Sequence, residues 1–175
     1  MKILVLVTVG LIAGVILLVV LAALIGSRLS KSHTVTRSIF LRQSPQNVYA
    51  VIRDFPSAPA WRSDVKRVEV QTRPDGKVHL REEGKNGAVN YELAEDVPGE
   101  RMVTRILDTD LGYSGKWTYL FAPENGGARL TITEDGEVSN ALFRFMSRYV
   151  FGHTATLDAY LSSLARRFGE DTTPQ

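Results

Sequence analysis

The sequence of 175 residues contains no cysteine, which excludes disulfide bonds and thiolate chemistry but does not assign a compartment. Histidine is scarce as well. His33, His79 and His153 are the only three, and none has the i, i+4 or H-x-E spacing of a zinc site. A glycine-rich phosphate loop is also missing. The sequence therefore predicts no bound metal and no cofactor.

Two further absences narrow the function. Ser114 lies in the stretch GYSGK, which lacks the second glycine of a G-x-S-x-G nucleophile elbow and precedes a predicted strand rather than a helix. The 21 basic and 19 acidic residues are spread evenly, without the basic stripe that binds DNA or RNA. We therefore expect neither a serine hydrolase nor a nucleic-acid-binding protein.

The sequence does contain one long apolar run, at its start. Residues 3–25 carry no charge and are almost wholly apolar. As a helix they would extend about 35 Å, enough to cross a hydrocarbon core of roughly 30 Å. The run is longer than the apolar region of a signal peptide, and no small-x-small cleavage site follows it. We predict a retained transmembrane anchor in residues 1–27 and a short linker in residues 28–31.

The charges that flank the run mildly favour a cytoplasmic domain. Lys2 precedes the run, whereas Arg28 and Lys31 follow it, so the positive-inside rule keeps the C-terminal domain in the cytoplasm. Within the run, Gly10 and Gly14 form a GxxxG pattern, which would let two helices pack closely into a homodimer. Small residues are frequent in membrane helices in any case, so the pattern alone does not establish a dimer.

The rest of the chain begins with a strand and two short helices and continues with more strands. Residues 32–42 alternate in polarity and predict the first strand. Ser44 and Pro45 are an N-cap and a first helical residue, and a second short helix or turn ends at Trp61. Six alternating stretches follow within residues 65–138. Short turn sequences such as PDG and ENGG separate them, as is typical of antiparallel hairpins.

The chain closes with a predicted amphipathic helix over residues 140–168, where apolar residues recur every three or four positions. Residues 170–175 are predicted to be a disordered tail. A sheet that is apolar on one face needs a cover, and this helix is the available one. The pattern predicts an α+β fold, a seven-stranded curved antiparallel sheet wrapped on a long C-terminal helix and preceded by a transmembrane helix.

Four stretches of sequence carry a resemblance to a known family. They are SPQNVYAVIRDFPSAPAW at 44–61, GKWTYLFAP, RLTITEDGEV and the helix ending LDAYLSSLARRFG. In this order they resemble the START/Bet v 1-like (SRPBCC) superfamily, and within it the polyketide cyclase/dehydrase-like group, over residues 32–169. The resemblance implies a helix-grip fold around an apolar pocket. Members of the superfamily bind lipids, transport ligands, cyclise polyketides or assist assembly, so fold alone does not choose a function.

The predicted ligand-binding residues are aromatic or sit at inward-facing polar positions. Glu134 shares its parity along the strand with Leu130 and Ile132, and His153 lies on the apolar stripe of the last helix. Aromatic rings with polar tips suit an amphiphilic ligand. The full set is Tyr91, Trp117, Tyr119, Phe121, Glu134, Tyr149 and His153. The alternatives are a filled core for the aromatic residues, a solvated rim position for Glu134, and a satisfied core position for His153.

One hypothesis pairs an inward carboxylate with an arginine as a polar anchor for a ligand headgroup. Glu82 or Glu134 would supply the carboxylate and Arg37 or Arg105 the cation, because a buried carboxylate needs a partner. The first interpretation of function is a membrane-anchored domain that binds or transports a hydrophobic or amphiphilic, lipid-like molecule. The alternatives are a polyketide cyclase/dehydratase-like enzyme and an interaction module of a membrane complex. The volume of the interior would discriminate among the three.

Overall fold

The computed structural model describes residues 2–85 and 87–175 of the chain. The N-terminal apolar run forms one helix, α1 (Lys2–Arg28). Its segment Leu6–Arg28 has a mean hydropathy of 3.0 and is almost entirely unburied, so it is not a core helix of the folded domain. This helix is long and apolar enough to cross a membrane, and a signal sequence near an N-terminus has the same properties.

A seven-stranded antiparallel sheet forms the body of the fold, as predicted. Its strands are β1 (Ser32–Leu41), β2 (Val65–Thr72), β3 (Val78–Gly84), β4 (Gly87–Val97), β5 (Arg101–Ile106), β6 (Tyr113–Glu124) and β7 (Gly127–Val138). The order across the sheet is β1-β7-β6-β5-β4-β3-β2. Five of the six pairings are thus between strands adjacent in sequence, and the sixth brings β1 against β7. This last pairing places the first strand beside the strand that carries Glu134.

Two short helices follow β1, again as predicted. In α2 (Pro45–Arg53) the Ser44 side chain accepts a hydrogen bond from the Asn47 backbone N–H, and Pro45 occupies the first turn. A 3₁₀ helix (Phe55–Ala60) comes next and ends at Trp61. This 3₁₀ helix places Trp61 and the residue after it beside the edge strand β2.

The predicted single helix over residues 140–168 is wrong in its continuity. The structure has α3 (Ala141–Met146), a π-helical turn (Ser147–Phe151) and α4 (Ala155–Arg167). Gly152 separates them with φ +75° and ψ 153°, a conformation that ends a helix and suits glycine. Of these C-terminal segments, α4 supplies the buried core residues, and Leu157, Leu161 and Leu164 are completely buried.

The last residues of the chain differ from the predicted disordered tail. The Gln175 and Ser38 backbones exchange two hydrogen bonds, at 2.8 and 2.9 Å. The Glu170 carboxylate also accepts from the backbone N–H of Arg42. Residues 170–175 are therefore held against β1 by hydrogen bonds, which their polar composition alone does not predict.

The end of α1 contacts α3. Gly26 is buried there, and a Cβ at this position would overlap the backbone oxygen of Ala141. Arg144 of α3 is also buried, and its Nε donates to the Gly26 carbonyl at 2.8 Å. Its Nη1 donates to the carbonyls of Val138 and Ser139. A cation at the C-terminal end of a helix is favourable, so Arg144 links α1 to the folded domain.

Candidate functional site

A cavity of about 760 Å³ lies between the sheet, the 3₁₀ helix and α4. Its apolar wall includes Ile52, Phe55, Leu80, Ile106 and Met146, each from a different element. The size falls in the range of roughly 300–1,000 Å³ that is usual for small-molecule sites. The interior is therefore not the filled core that would have favoured a pure interaction module.

One part of the cavity wall carries an arginine between two carboxylates, which we call the Arg62 cluster (Arg62, Glu82 and Asp64). The guanidinium binds Glu82 through two hydrogen bonds of 2.8 and 3.1 Å, and Asp64 through one of 2.6 Å. Burial alone would lower the pKa of Arg62, but the hydrogen bond to Asp64 and the charge of Glu82 outweigh it and raise the pKa. Arg62 is therefore a permanent cation whose charge its neighbours already compensate.

Three tyrosines lie beside the Arg62 cluster. Burial raises the pKa of Tyr119 to about 12, although a hydrogen bond with Thr104 opposes the shift. Burial likewise raises the pKa of Tyr91 and of Tyr160. All three hydroxyls are therefore protonated at neutral pH and act as hydrogen-bonding groups rather than as bases.

A second polar group, the histidine cluster (His33, Trp117, Glu134 and His153), also lines the cavity. Glu134 Oε1 lies 3.0 Å from His33 Nε2, and Glu134 Oε2 accepts from the Trp117 indole N–H at 2.9 Å. An ionised carboxylate only accepts, so Nε2–H of His33 is the donor, and in the neutral form of the ring Nδ1 is left as an acceptor. The His33 and His153 rings stack with centroids 4.5 Å apart.

The local sequence explains this placement. The β1–β7 register sets His33 opposite Gly136, where a Cβ would overlap the imidazole ring. The β6–β7 register sets Trp117 opposite Glu134. Burial and the nearby His33 and Arg148 lower the pKa of His153, while Glu134 opposes them. His153 is therefore largely neutral at pH 7, and like-charge repulsion disfavours protonating both rings.

The structure brings five of the seven predicted ligand-binding residues to the cavity wall, namely Tyr91, Trp117, Tyr119, Glu134 and His153. Phe121 instead lies in the core, where its ring meets Tyr49 of α2 edge-on. Tyr149 lies on the π-helical turn, is 60% exposed and packs on Phe145. The continuous helix assumed from the sequence would have turned Tyr149 inward, and the break at Gly152 prevents it.

The arginines proposed as headgroup anchors pair elsewhere. Arg37 binds Asp158 of α4, and Arg105 binds Glu92. The arginine that does reach Glu82 is Arg62, and no periodic signal in the sequence marks it, because it follows a 3₁₀ helix. His33 was also missed, although it shares its parity with the buried Ile39 on β1, and that parity was a usable signal.

The residues that the structure describes contain no group of three or more His, Asp or Glu side chains arranged to hold a metal ion. The chemistry that the geometry offers is hydrogen bonding, charge compensation and proton transfer by imidazole. These groups lie in the wall of a largely apolar cavity.

Comparison with known families gives one decisive match. The profile described as "Polyketide cyclase / dehydrase and lipid transport" matches residues 32–169, which include all seven strands and the helices from α2 to α4. The chain belongs to this family. The match confirms the family resemblance in the sequence, and α1 lies outside the matched residues. No curated protein matches the chain significantly.

Solved structures show the same fold. A START superfamily protein from Mycobacterium smegmatis is 18% identical, covers 77% of this chain and 96% of its own, and has a TM-score of 0.58. A protein from Thermus thermophilus is 19% identical, with the same coverage and a TM-score of 0.62. Norcoclaurine synthase from Thalictrum flavum is 10% identical over 80% of this chain and 88% of its own, with a TM-score of 0.61. At these identities the likeness concerns the fold, which is the helix-grip fold expected for the polyketide cyclase / dehydrase and lipid transport family.

Proposed function

We propose that this chain is a membrane-anchored member of its family that binds and exchanges an amphiphilic, lipid-like small molecule in the cavity. The observation that carries the proposal is the cavity itself, about 760 Å³ with apolar walls and two separate polar groups. An apolar ligand body gains roughly 25 cal/mol for each Å² removed from water. The polar groups in the wall would fix the head of the ligand and so its orientation.

The position of α1 supports a membrane source for the ligand. The helix ends at α3, where the buried Arg144 binds the Gly26 carbonyl. Phe143 of the same α3 lines the cavity and is still 53% exposed, so the cavity reaches the surface beside the end of α1. If α1 spans a bilayer, this opening lies at the lipid surface.

Apolar side chains exposed around this opening fit the same picture. Tyr149 and Val150 follow on the π-helical turn and are 60% and 57% exposed. Arg148 is exposed beside them, and Arg28 is exposed at the end of α1. Exposed aromatic and basic side chains together are typical of the interfacial layer of a membrane.

A matched pair of variants tests the cavity as the binding site. Val68 lines the cavity, whereas Val70, on the same strand and two residues along, is exposed outside it. The full chain is purified from membranes, and the small molecules it retains are identified by native mass spectrometry. We expect the wild type and Val70→Trp to retain the same molecule and Val68→Trp to lose it. Equal retention by all three proteins, or retention by none, would overturn the proposal.

The histidine cluster favours acid–base catalysis as a second candidate function. Glu134 orients His33 through one ring nitrogen, which leaves the other nitrogen to accept a proton from a ligand, and the neutral His153 stacked on it is a second imidazole base in the cavity wall. The natural reaction class is removal and return of a proton at a carbon next to a carbonyl group, the step that begins cyclisations and dehydrations. This candidate shares the cavity with the first and adds a reaction to binding.

A further inference from the structure

The cavity covers only part of the inner face of the sheet, and it ends along one line across six strands. The innermost residues that line it on these strands are His33, Leu80, Tyr91, Thr104, Tyr119 and Glu134. Two residues deeper on each strand, the side chain on the same face belongs to the packed core or lies against it. These deeper residues are Val35, Val78, Leu93, Met102, Phe121 and Ile132. The core therefore closes the cavity at this end.

The open end of the cavity is the one beside α1. Along β6 the lining residues run from Tyr113 to Tyr119, which is about 20 Å of strand. Tyr113 is 40% exposed, whereas Tyr119 is 5% exposed. Tyr113 pairs with Val138, and Arg144 of α3 binds the carbonyls of Val138 and Gly26. The cavity therefore runs from the junction of α1 and α3 inward to Tyr119.

Three aromatic rings lie at the inner end, and we call them the aromatic floor (Trp117, Tyr119 and Tyr160). The centroid of the Tyr160 ring lies 5.5 Å from that of Trp117 and 6.1 Å from that of Tyr119. The Tyr119 hydroxyl has hydrogen-bonding partners in Thr104 and Tyr160. None of these four side chains is charged at neutral pH. The inner end therefore suits the apolar tail of a ligand better than its polar head.

The volume of the cavity limits the size of that ligand. A water molecule takes roughly 30 Å³ of its liquid and a methylene group is of similar size, so a cavity of about 760 Å³ holds ~25 such groups. An amphiphile with one chain stays within this number. A glycerophospholipid with two acyl chains exceeds it.

We propose that the cavity takes one single-chain amphiphile tail-first, and that the aromatic floor sets the longest tail that it encloses. The head of the ligand then lies at the opening beside α1. The inference rests on the proposed function, since it names the class of ligand that the cavity takes and the residues that select it.

The test uses methyl ketones with unbranched tails from nonyl to henicosyl, because a small uncharged head leaves the tail length as the only variable. An equimolar mixture is added to the full chain in lipid nanodiscs. Native mass spectrometry identifies the ketones that the protein retains after transfer into detergent. We expect retention to rise with tail length up to a limit and then to fall about four-fold for each methylene group that the cavity leaves outside.

Two variants should move this limit in opposite directions. Tyr119→Ala removes one ring of the aromatic floor and should admit tails longer by roughly two methylene groups. Thr104→Met fills part of the inner end and should shorten the longest tail retained. The matched controls, Leu120→Ala and Thr118→Met, change the opposite face of β6 outside the cavity and should keep the wild-type limit. If Tyr119→Ala does not fold, the shift in Thr104→Met decides.

The outcomes separate this inference from the proposed function. If ketones are retained but neither variant moves the limit, the aromatic floor does not select tail length and the inference is wrong. Retention of a two-chain phospholipid from the nanodisc in place of the ketones would also overturn it. If the wild type retains neither ketone nor lipid, the proposed function itself fails.

Discussion

At the scale of single residues, Glu134 links two side chains of the cavity wall. One of its carboxylate oxygens accepts a hydrogen bond from His33 and the other accepts one from Trp117, and its side chain is 20% exposed. A carboxylate with both oxygens engaged is poorly suited to act as a free base, but it can fix the imidazole that would. The sequence predicted Glu134 on the inner face, and the structure shows its two partners there, His33 and Trp117.

The first prediction separates catalysis from binding at Glu134. In D₂O, an active histidine cluster would exchange deuterium into the carbons next to the carbonyl of bound methyl undecyl ketone. In Glu134→Gln, the new amide N–H faces the N–H of either His33 or Trp117. Because two donors then oppose each other, His33 is disturbed, and deuterium exchange into the ketone should fall about 100-fold. Ketone retention should be unchanged. Mass spectrometry of the extracted ketone measures both quantities, and wild-type exchange no faster than in protein-free nanodiscs would exclude the catalytic candidate.

The second prediction concerns pH. The pKa of His153 is below its usual value of about 6.5, because of burial, His33 and Arg148, with Glu134 opposing. The unfolded chain therefore binds this proton more readily, so His153 lowers the stability as the pH falls through about 6.5. The melting temperature should drop from about pH 7.5 to about pH 5.5. His153→Gln should reduce the drop, whereas His79→Gln, outside the cavity, should leave it intact.

At the scale of elements, the alternation along the strands predicted which residues share a face of the sheet. Alternation placed Trp117, Tyr119 and Glu134 on one face because strand parity and burial coincide there. It said nothing about Trp61 and Arg62, since the end of a 3₁₀ helix has no such period. The C-terminal helix breaks at Gly152, and the apolar period over residues 140–168 gave no sign of the break. Whether a glycine bends or ends a helix depends on tertiary contacts, which the period of the sequence does not report.

The third prediction tests the contact between α1 and α3. A side chain at Gly26 would overlap the Ala141 backbone, so Gly26→Val should push α3 away and withdraw the Gly26 carbonyl from Arg144. We expect faster amide hydrogen exchange in residues 139–146 of the full chain. Gly14→Val is the matched control, because a Cβ at Gly14 meets no atom within 4 Å. Equal exchange in both variants would mean that α1 does not support α3.

At the scale of the whole molecule, the anchor would limit how far the cavity can travel. Only residues 29–31 separate α1 from β1, which is about 10 Å of extended chain. The folded domain is itself roughly 35 Å across. If α1 spans a membrane, as proposed, the cavity would stay at the surface of that membrane, since Arg144 also holds α3 to the end of α1. Under the proposed function, such a protein would exchange ligand with one bilayer and would not carry it through water to a second membrane.

The fourth prediction follows from the short segment between α1 and β1. Donor vesicles containing the full chain and a pyrene-labelled long-chain ketone are mixed with empty acceptor vesicles. The protein should shield the pyrene from iodide in the donor vesicles, because the cavity encloses it, yet should not speed its transfer to the acceptors. Val68→Trp, which places a bulky ring in the cavity, should reduce the shielding, and Val70→Trp should keep it. Transfer accelerated by the wild type but not by Val68→Trp would show that the loaded cavity reaches a second membrane, and the anchored arrangement would then be wrong.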